Sequence, residues 1–441
     1  MQEDRHSPGE LRLSGPADAL VGAASASMRI DAGWPDVIPT FAPIAMPSEL
    51  VVPIFGIEPR FGGVEAGDRF VRRSTEGKPH SLSPSAGTIE SITNAWLFDG
   101  SKTSAVRLAT AVGPPADKYR PDLGEARPDR LGEWIDILRE HGIWAARHTS
   151  PDLIGQCYAA LARPVDTVLL NLLDVDPALP TNAALAATEP ASLHAGADLI
   201  SRIIGATRIW VAIDDQIPPD WLSKFNEPAE SEVEWNFIPL VNDYPQSDPS
   251  LLLYALLNRR LAPMRSPVDA GTIVIDAAAA IAVGNVILKG EPMLTVPVAI
   301  RDHTHRESHF RTVPIGATLE SLLHSLRMPA LRWLKLRGGD VLRDVPLHHD
   351  SVASGTDLVL HAGALEPSIN PDPCVRCGWC FESCPTLVQP ANCLEAAQRD
   401  DIALARRFGI DGCIECGICS YVCPSHLPIL AGIRYLRANL R

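Results

Sequence analysis

The sequence predicts a multidomain chain of mixed α/β and α+β class that ends in a small cysteine-rich module. At 441 residues the chain is too long for a single hydrophobic core. Strand-like and helix-like segments alternate through residues 130–295. Nine of the ten cysteines fall after residue 373.

The bulk numbers narrow the function classes. The formal net charge is −14 and the pI about 5.4. Such a surface repels phosphate backbones, so nucleic acid is not an expected partner. The hydrophobic fraction of 46% is ordinary for a globular chain. The most apolar stretch, Ile273 to Leu288, contains Asp276, Gly284 and Asn285 and is short for a bilayer. Glu3, Asp4 and Arg5, with no apolar run behind them, do not read as a signal peptide. The expectation is a cytoplasmic protein that reaches the inner face of the cell membrane only through partners.

Residues 1–35 are rich in Ser, Ala, Gly and Asp without a period and read as a flexible N-terminal extension. Residues 36–115 carry short β-like runs broken by Pro and Gly, among them Leu50–Ile54, Asp68–Arg72 and Thr88–Ile92. That spacing suggests a small sandwich or barrel. Lys78 to Ile89 looks like a hairpin of a barrel-sandwich fold. Lys78 precedes a proline and reads as a surface lysine, not as a lipoyl or biotinyl carrier. In 130–295 the expected helices are Leu131–His141, Leu193–Ile204 and Leu251–Arg259. The expected strands there are Asp166–Asn171, Arg208–Ile213 and Gly271–Asp276, which gives a mainly parallel sheet. Residues 296–365 return to strands, with Thr295–Ile300, Phe310–Pro314 and Asp357–His361 around a helix at Leu319–Arg327. That unit reads as β-grasp-like. Pro367, Pro371 and Pro373 then mark a junction into the 366–441 module.

Two runs in that module match one template, C-x2-C-x2-C-x3-C-P. They are Cys374, Cys377, Cys380, Cys384 and Pro385, and Cys413, Cys416, Cys419, Cys423 and Pro424. Three thiolates at this step fold around one face of a cubane, and the fourth is directed to the other cluster. The predicted ligand sets for two [4Fe–4S] clusters are therefore Cys374, Cys377, Cys380 and Cys423, and Cys413, Cys416, Cys419 and Cys384. Gly378 and Gly417 permit close backbone approach to the sulfurs. Zinc is the alternative, but its sites use paired C-x2-C units without a third cysteine at the same step. Leu394 to Phe408, in the long stretch between the runs, reads as a helix and predicts a helical ferredoxin variant. Cys393 and Cys157 read as non-ligand thiols, Cys157 being buried. Trp379 and Tyr421 are expected to shield the clusters from water.

Other clusters are weaker. His303, His305, His348, His349 and Asp350 lack helical spacing and read as surface loops, not a second metal site. Arg337–Asp340 reads as a tight turn. No G-x-S-x-G nucleophile elbow occurs.

The cysteine tail Cys413 to His426 closely resembles the C subunit of the Rnf complex, the ion-translocating ferredoxin:NAD oxidoreductase. Pro164–Asn171, Tyr244–Gln246 and Leu252–Arg259 match that family in order, so the similarity spans most of residues 36–441. The resemblance implies a barrel-sandwich domain, a flavin-type α/β domain, a β-grasp-like domain and a dicluster ferredoxin domain. Members that bind FMN and NADH carry a loop of the form G-L-G-G-A-G-F-P-T, whose glycines let backbone N–H groups close on phosphate. Here that stretch is Gly142-Ile-Trp-Ala-Ala-Arg-His-Thr-Ser150, where Trp144 would crowd a phosphate. Asp174-Val-Asp-Pro177 replaces Glu-Cys-Glu-Pro, and Ser247 and Asp248 replace glycines. The departures imply that FMN is unlikely and that the α/β domain is a scaffold.

The resulting expectation is an electron-transfer subunit of a larger oxidoreductase, not catalytic alone. It would relay single electrons between partner redox proteins, whether flavoprotein, ferredoxin or membrane subunits. The alternatives are an FMN-containing NADH dehydrogenase subunit and a non-catalytic assembly protein with structural clusters.

Overall fold

The computed structural model describes residues 34–438, apart from 177, 228–230, 232, 259–264, 329–333, 340, 341, 344, 357, 358 and 365–368. The expected 1–35 extension thus lies outside the described residues save for Trp34 and Pro35. Parts of the Glu366–Pro373 junction and of the Arg337–Asp340 turn also lie outside them.

The long hairpin Gly87–Leu97 and Lys102–Thr110 anchors the first β region. Its turn is fixed locally: Asp99 accepts hydrogen bonds from the Ser101 N–H (2.8 Å) and hydroxyl (2.6 Å). Glu49–Pro53, Gly62–Val64 and Ser351–Val352 complete a five-stranded sheet. The hairpin expected over Lys78–Ile89 does not form. The strand starts at Gly87, and the preceding segment is loop with one bridge, Leu82 to Arg69. Lys78 is exposed, with its Nζ 3.5 Å from Asp152.

A second sheet has the order Ala42–Pro43, Glu307–Pro314, Thr295–Asp302, Val359–Ala364, Leu334–Gly338, Val345–Pro346. The two sheets share one apolar core, in which Leu50, Phe70, Phe98 and Leu108 meet Val298, Ile300, Leu322 and Leu360. Residues far apart in sequence thereby form one packed unit.

The α/β region is a four-stranded parallel sheet in the order Glu234–Leu240, Arg208–Asp214, Thr167–Asn171, Thr272–Asp276. Thr167–Asn171, inside the sheet, and Thr272–Asp276, at its edge, are both buried along their whole length. The Glu234–Leu240 edge strand escapes sequence reading because Glu234, Asn236 and Pro239 dilute its apolar pattern. Helices Leu153–Ala160 and Thr181–Thr188 are likewise additional to those expected. Helices Pro190–Ile204 and Ala277–Lys289 cross at two glycines. A Cβ on Gly196 would lie 1.8 Å from the Ala280 oxygen, and one on Gly284 1.9 Å from the Ser192 oxygen.

In the cysteine-rich module the single helix expected over Leu394–Phe408 is two helices, Pro390–Gln398 and Ile402–Arg407. Asp400 sits in the left-handed region (φ 54°) and breaks the first. Asp401 caps the second by accepting from the Leu404 N–H at 2.9 Å. Among the described residues no helix is long and apolar enough to cross a membrane.

Candidate metal centre

The two cysteine runs fold as one repeated backbone. Gly378 (φ 88°) and Gly417 (φ 79°) open the short helices Trp379–Glu382 and Ile418–Tyr421. Arg376 (φ 54°) pairs with Glu415 (φ 56°), and Leu387 (φ 58°) with His426 (φ 51°), in the left-handed region. Helices Pro390–Gln398 and Ile429–Ala438 are counterparts as well, and they pack together.

The chain brings the last cysteine of each run to the first three of the other. The Cys380 thiol feels the charges of Cys377, Cys423 and Cys374. Cys413, Cys416 and Cys419 each feel Cys384. A cavity of about 1010 Å³ has Cys374, Cys377, Cys380 and Cys423 in its lining. Among the described residues no three His, Cys, Asp or Glu side chains converge closely enough for a single metal ion. Burial raises the Cys380, Cys416 and Cys419 thiols and pushes Cys413 up to about 11. Thiolates held there would need a compensating positive charge, which a bound metal centre would supply. Backbone N–H groups also point at sulfur: Glu415 donates to Cys413 at 3.3 Å.

Cys393 is buried beside these groups. Burial pushes its thiol up to about 12, and the sulfur lies 4.0 Å from the Ala405 and Phe408 carbonyl oxygens. Cys157 is fully buried in the α/β core, its thiol also pushed to about 12. Trp379 is half-buried between the halves, whereas Tyr421 is 38% exposed.

At the carboxyl ends of the parallel strands the Gly142–Ser150 loop behaves differently from the expectation. Trp144 packs inward, edge-on to Phe55 with ring centroids 4.7 Å apart. Arg147 occupies the strand ends instead. Its guanidinium holds Asp276 at 2.6 and 2.5 Å and donates to the Gly355 carbonyl at 3.1 Å. The Thr149 hydroxyl adds a bond to Asp276 at 3.2 Å. Asp174 accepts from the Asn182 N–H at 2.7 Å, and burial lifts its carboxyl well above the usual range. His148 lies 2.9 Å from Asp248. Burial raises the Asp248 carboxyl, but His148, the Ser250 N–H and Arg343 outweigh it and hold the group below its usual value.

The histidines flagged by sequence have separate surroundings. His305 bonds Asp302 at 2.7 Å, His348 stacks on Trp96, and His349 is exposed. His303 instead meets a residue that sequence spacing hides: its Nε2 lies 3.0 Å from Nδ1 of buried His361.

Comparisons with known protein families match two regions of the chain. Residues 156–285 match the Nuo51 FMN-binding domain, and residues 366–424 match a 4Fe-4S dicluster domain. The C subunit of the ion-translocating oxidoreductase complex of Rhodobacter capsulatus is 24% identical over 74% of this chain and 63% of its own length. Its counterpart in the proton-translocating ferredoxin:NAD(+) oxidoreductase complex of Clostridium ljungdahlii is 24% identical over 61% and 59%. The C subunit of the Erwinia tasmaniensis ion-translocating complex is 23% identical over 90% and 51%. The chain thus spans about half to two thirds of the length of these curated relatives. A solved NAD+-reducing [NiFe]-hydrogenase in the air-oxidized state aligns at TM-score 0.46 and 15% identity, over 76% of this chain and 69% of that one.

The match to an FMN-binding domain overturns the expectation that FMN is unlikely: the α/β region is of flavin-binding type. In the conformation described, the space lined by Arg147, Thr149, Asp174 and Asn182 is about 20 Å³. Small-molecule sites occupy a few hundred. A larger cavity of about 610 Å³ adjoins that space and shares His148 and Gly339 with it. With a flavin-type α/β domain followed by a dicluster module, and Rnf-type relatives along most of its length, the chain is a protein like the C subunit of the Rnf complex.

Proposed function

We propose that this protein is an electron-transfer subunit of a larger oxidoreductase. One observation carries the reading: Cys384 falls in with Cys413, Cys416 and Cys419, and Cys423 with Cys374, Cys377 and Cys380. Crossed thiols of that kind hold two [4Fe–4S] clusters side by side, and such clusters supply one-electron transfer. The chain's residues set the conditions. Ile410, Ile429, Ile433 and Leu436 exclude water from the module's core. Backbone N–H groups at Glu415, Ile418 and Ala391 donate toward cysteine sulfur. The barrel-sandwich-like and β-grasp-like regions serve as docking surfaces for other redox subunits, on the cytoplasmic side and at the membrane only through them.

The match to an FMN-binding domain favours a second reading, in which the α/β region holds FMN and the chain receives electrons from a nicotinamide.

Iron, acid-labile sulfide and extracted flavin are to be measured on anaerobically purified protein, with EPR after dithionite reduction. Two reducible clusters are expected, and zinc in their place sinks both readings. Stoichiometric FMN selects the second. Cys384→Ser should abolish the same EPR signal as Cys416→Ser, and Cys423→Ser the same signal as Cys377→Ser. Loss of uncrossed pairs of signals would refute the ligand sets.

A further inference from the structure

The two halves of the cysteine module share one backbone, yet among the described residues the rest of the chain covers mainly one of them. Tyr244, 5% exposed, donates its hydroxyl proton to the carbonyl of Cys416. It sits in a cluster with Ile418, Val422, Leu342 and Ile414, at whose margin Trp379 and Cys380 of the first half also pack. Arg343 donates to the Ile414 carbonyl at 3.0 Å. The backbone approach is tight enough that a Cβ on Gly417 would lie 2.0 Å from the Leu342 oxygen. Cys416 and Cys419 are accordingly 8% and 9% exposed.

The counterpart positions in the first half are bare. Cys374 and Cys377 are exposed. A Cβ on Gly378 would meet only the Glu382 carboxylate, at 3.9 Å. Val375 and Phe381, at 67% and 45% exposure, line the same cavity as these thiols and add apolar surface beside them. An apolar surface continuous with exposed redox ligands is what a protein partner covers.

We propose that the two halves are polarised. The Cys413 half is the internal port, coupled to the α/β region through Tyr244. The Cys374 half is the external port, on which a redox protein carrying its own centre at its surface docks. One electron passes there between partner and chain, with no bond made or broken. The proposal rests on the electron-transfer reading above and deepens it.

The test uses the full chain, loaded with both clusters and reduced. EPR power saturation is recorded with and without a dysprosium chelate, for the native chain and for Tyr244→Phe. The chelate should relax one signal several-fold more than the other. Tyr244→Phe should shift the g-values and midpoint potential of the spared signal. Equal relaxation of both signals, or a Tyr244→Phe effect confined to the chelate-sensitive one, overturns the polarity. Phe381→Glu should slow electron exchange with a small two-cluster ferredoxin, the probe protein, about tenfold, while both EPR signals persist. An unchanged rate overturns the docking face. So does a dimer of the chain that Phe381→Glu disperses, because a second copy would then cover it. Failure to find iron and sulfide refutes the electron-transfer reading itself, a separate measurement.

Discussion

Gly378 and Gly417 hold the same place in the two motif halves, but a methyl group costs them unequally. Both lie at positive φ, so an alanine at either is strained by about 1–2 kcal/mol. At Gly417 the new Cβ also strikes the Leu342 carbonyl, and overpacking adds about 1–3 kcal/mol. Thermal unfolding should therefore show Gly417→Ala clearly below Gly378→Ala; equal melting temperatures would contradict the close contact. Arg147 gives a second prediction. Its guanidinium and Asp276 are both buried, so Arg147→Met strands a carboxylate and should cost about 3–5 kcal/mol in denaturant unfolding. A loss below about 1 kcal/mol would mean that water reaches Asp276. The eight motif cysteines were legible because ligand spacing is a local property. Arg147 was not, because its partner lies on a distant strand, and the bulk of Trp144 drew attention to the wrong side chain.

At the scale of elements, caps and crossings decide where helices stop and how they meet. Asp401→Ala should remove the cap on Ile402–Arg407 and lower stability by about 1 kcal/mol, read as a shift in the urea midpoint. An unchanged midpoint would show that the helix is held by packing alone. Apolar character persists across Leu394–Phe408, so the pattern suggested one helix, while the break depends on a single left-handed residue, Asp400. Buried strands such as Thr167–Asn171 and Thr272–Asp276 were readable as apolar runs. The Glu234–Leu240 strand was not, since only Leu240 is fully buried and Glu234, Asn236 and Pro239 interrupt its apolar pattern.

Across the whole molecule, burial of imidazoles ties stability to pH. Burial, His303 and the guanidinium groups of Arg337 and Arg301 lower His361 from 6.5 to about 3. Burial and Arg69 lower His80 from 6.5 to about 4. Both folded values lie below the unfolded one, so the unfolded chain binds more protons under pH 6.5. The stability from neutral His361 and His80 is complete above about 6.5 and is lost as pH falls toward 4 and then 3. Melting temperature should fall between pH 6.5 and 4.5, before most carboxylates titrate, and His361→Leu should flatten that slope. A native chain with no slope in that window would show that His361 is already protonated or hydrated.

The sequence by itself determined the cysteine template and three of the four parallel-sheet strands, because spacing and periodicity act over a few residues. Only the tertiary structure decided that the two β regions share one core, that Arg147 rather than Trp144 fills the strand ends, and that His303 meets His361. It alone decided which motif half Tyr244 covers. The two halves carry the same local pattern, and what distinguishes them is packing against residues distant in the chain, which no local pattern encodes.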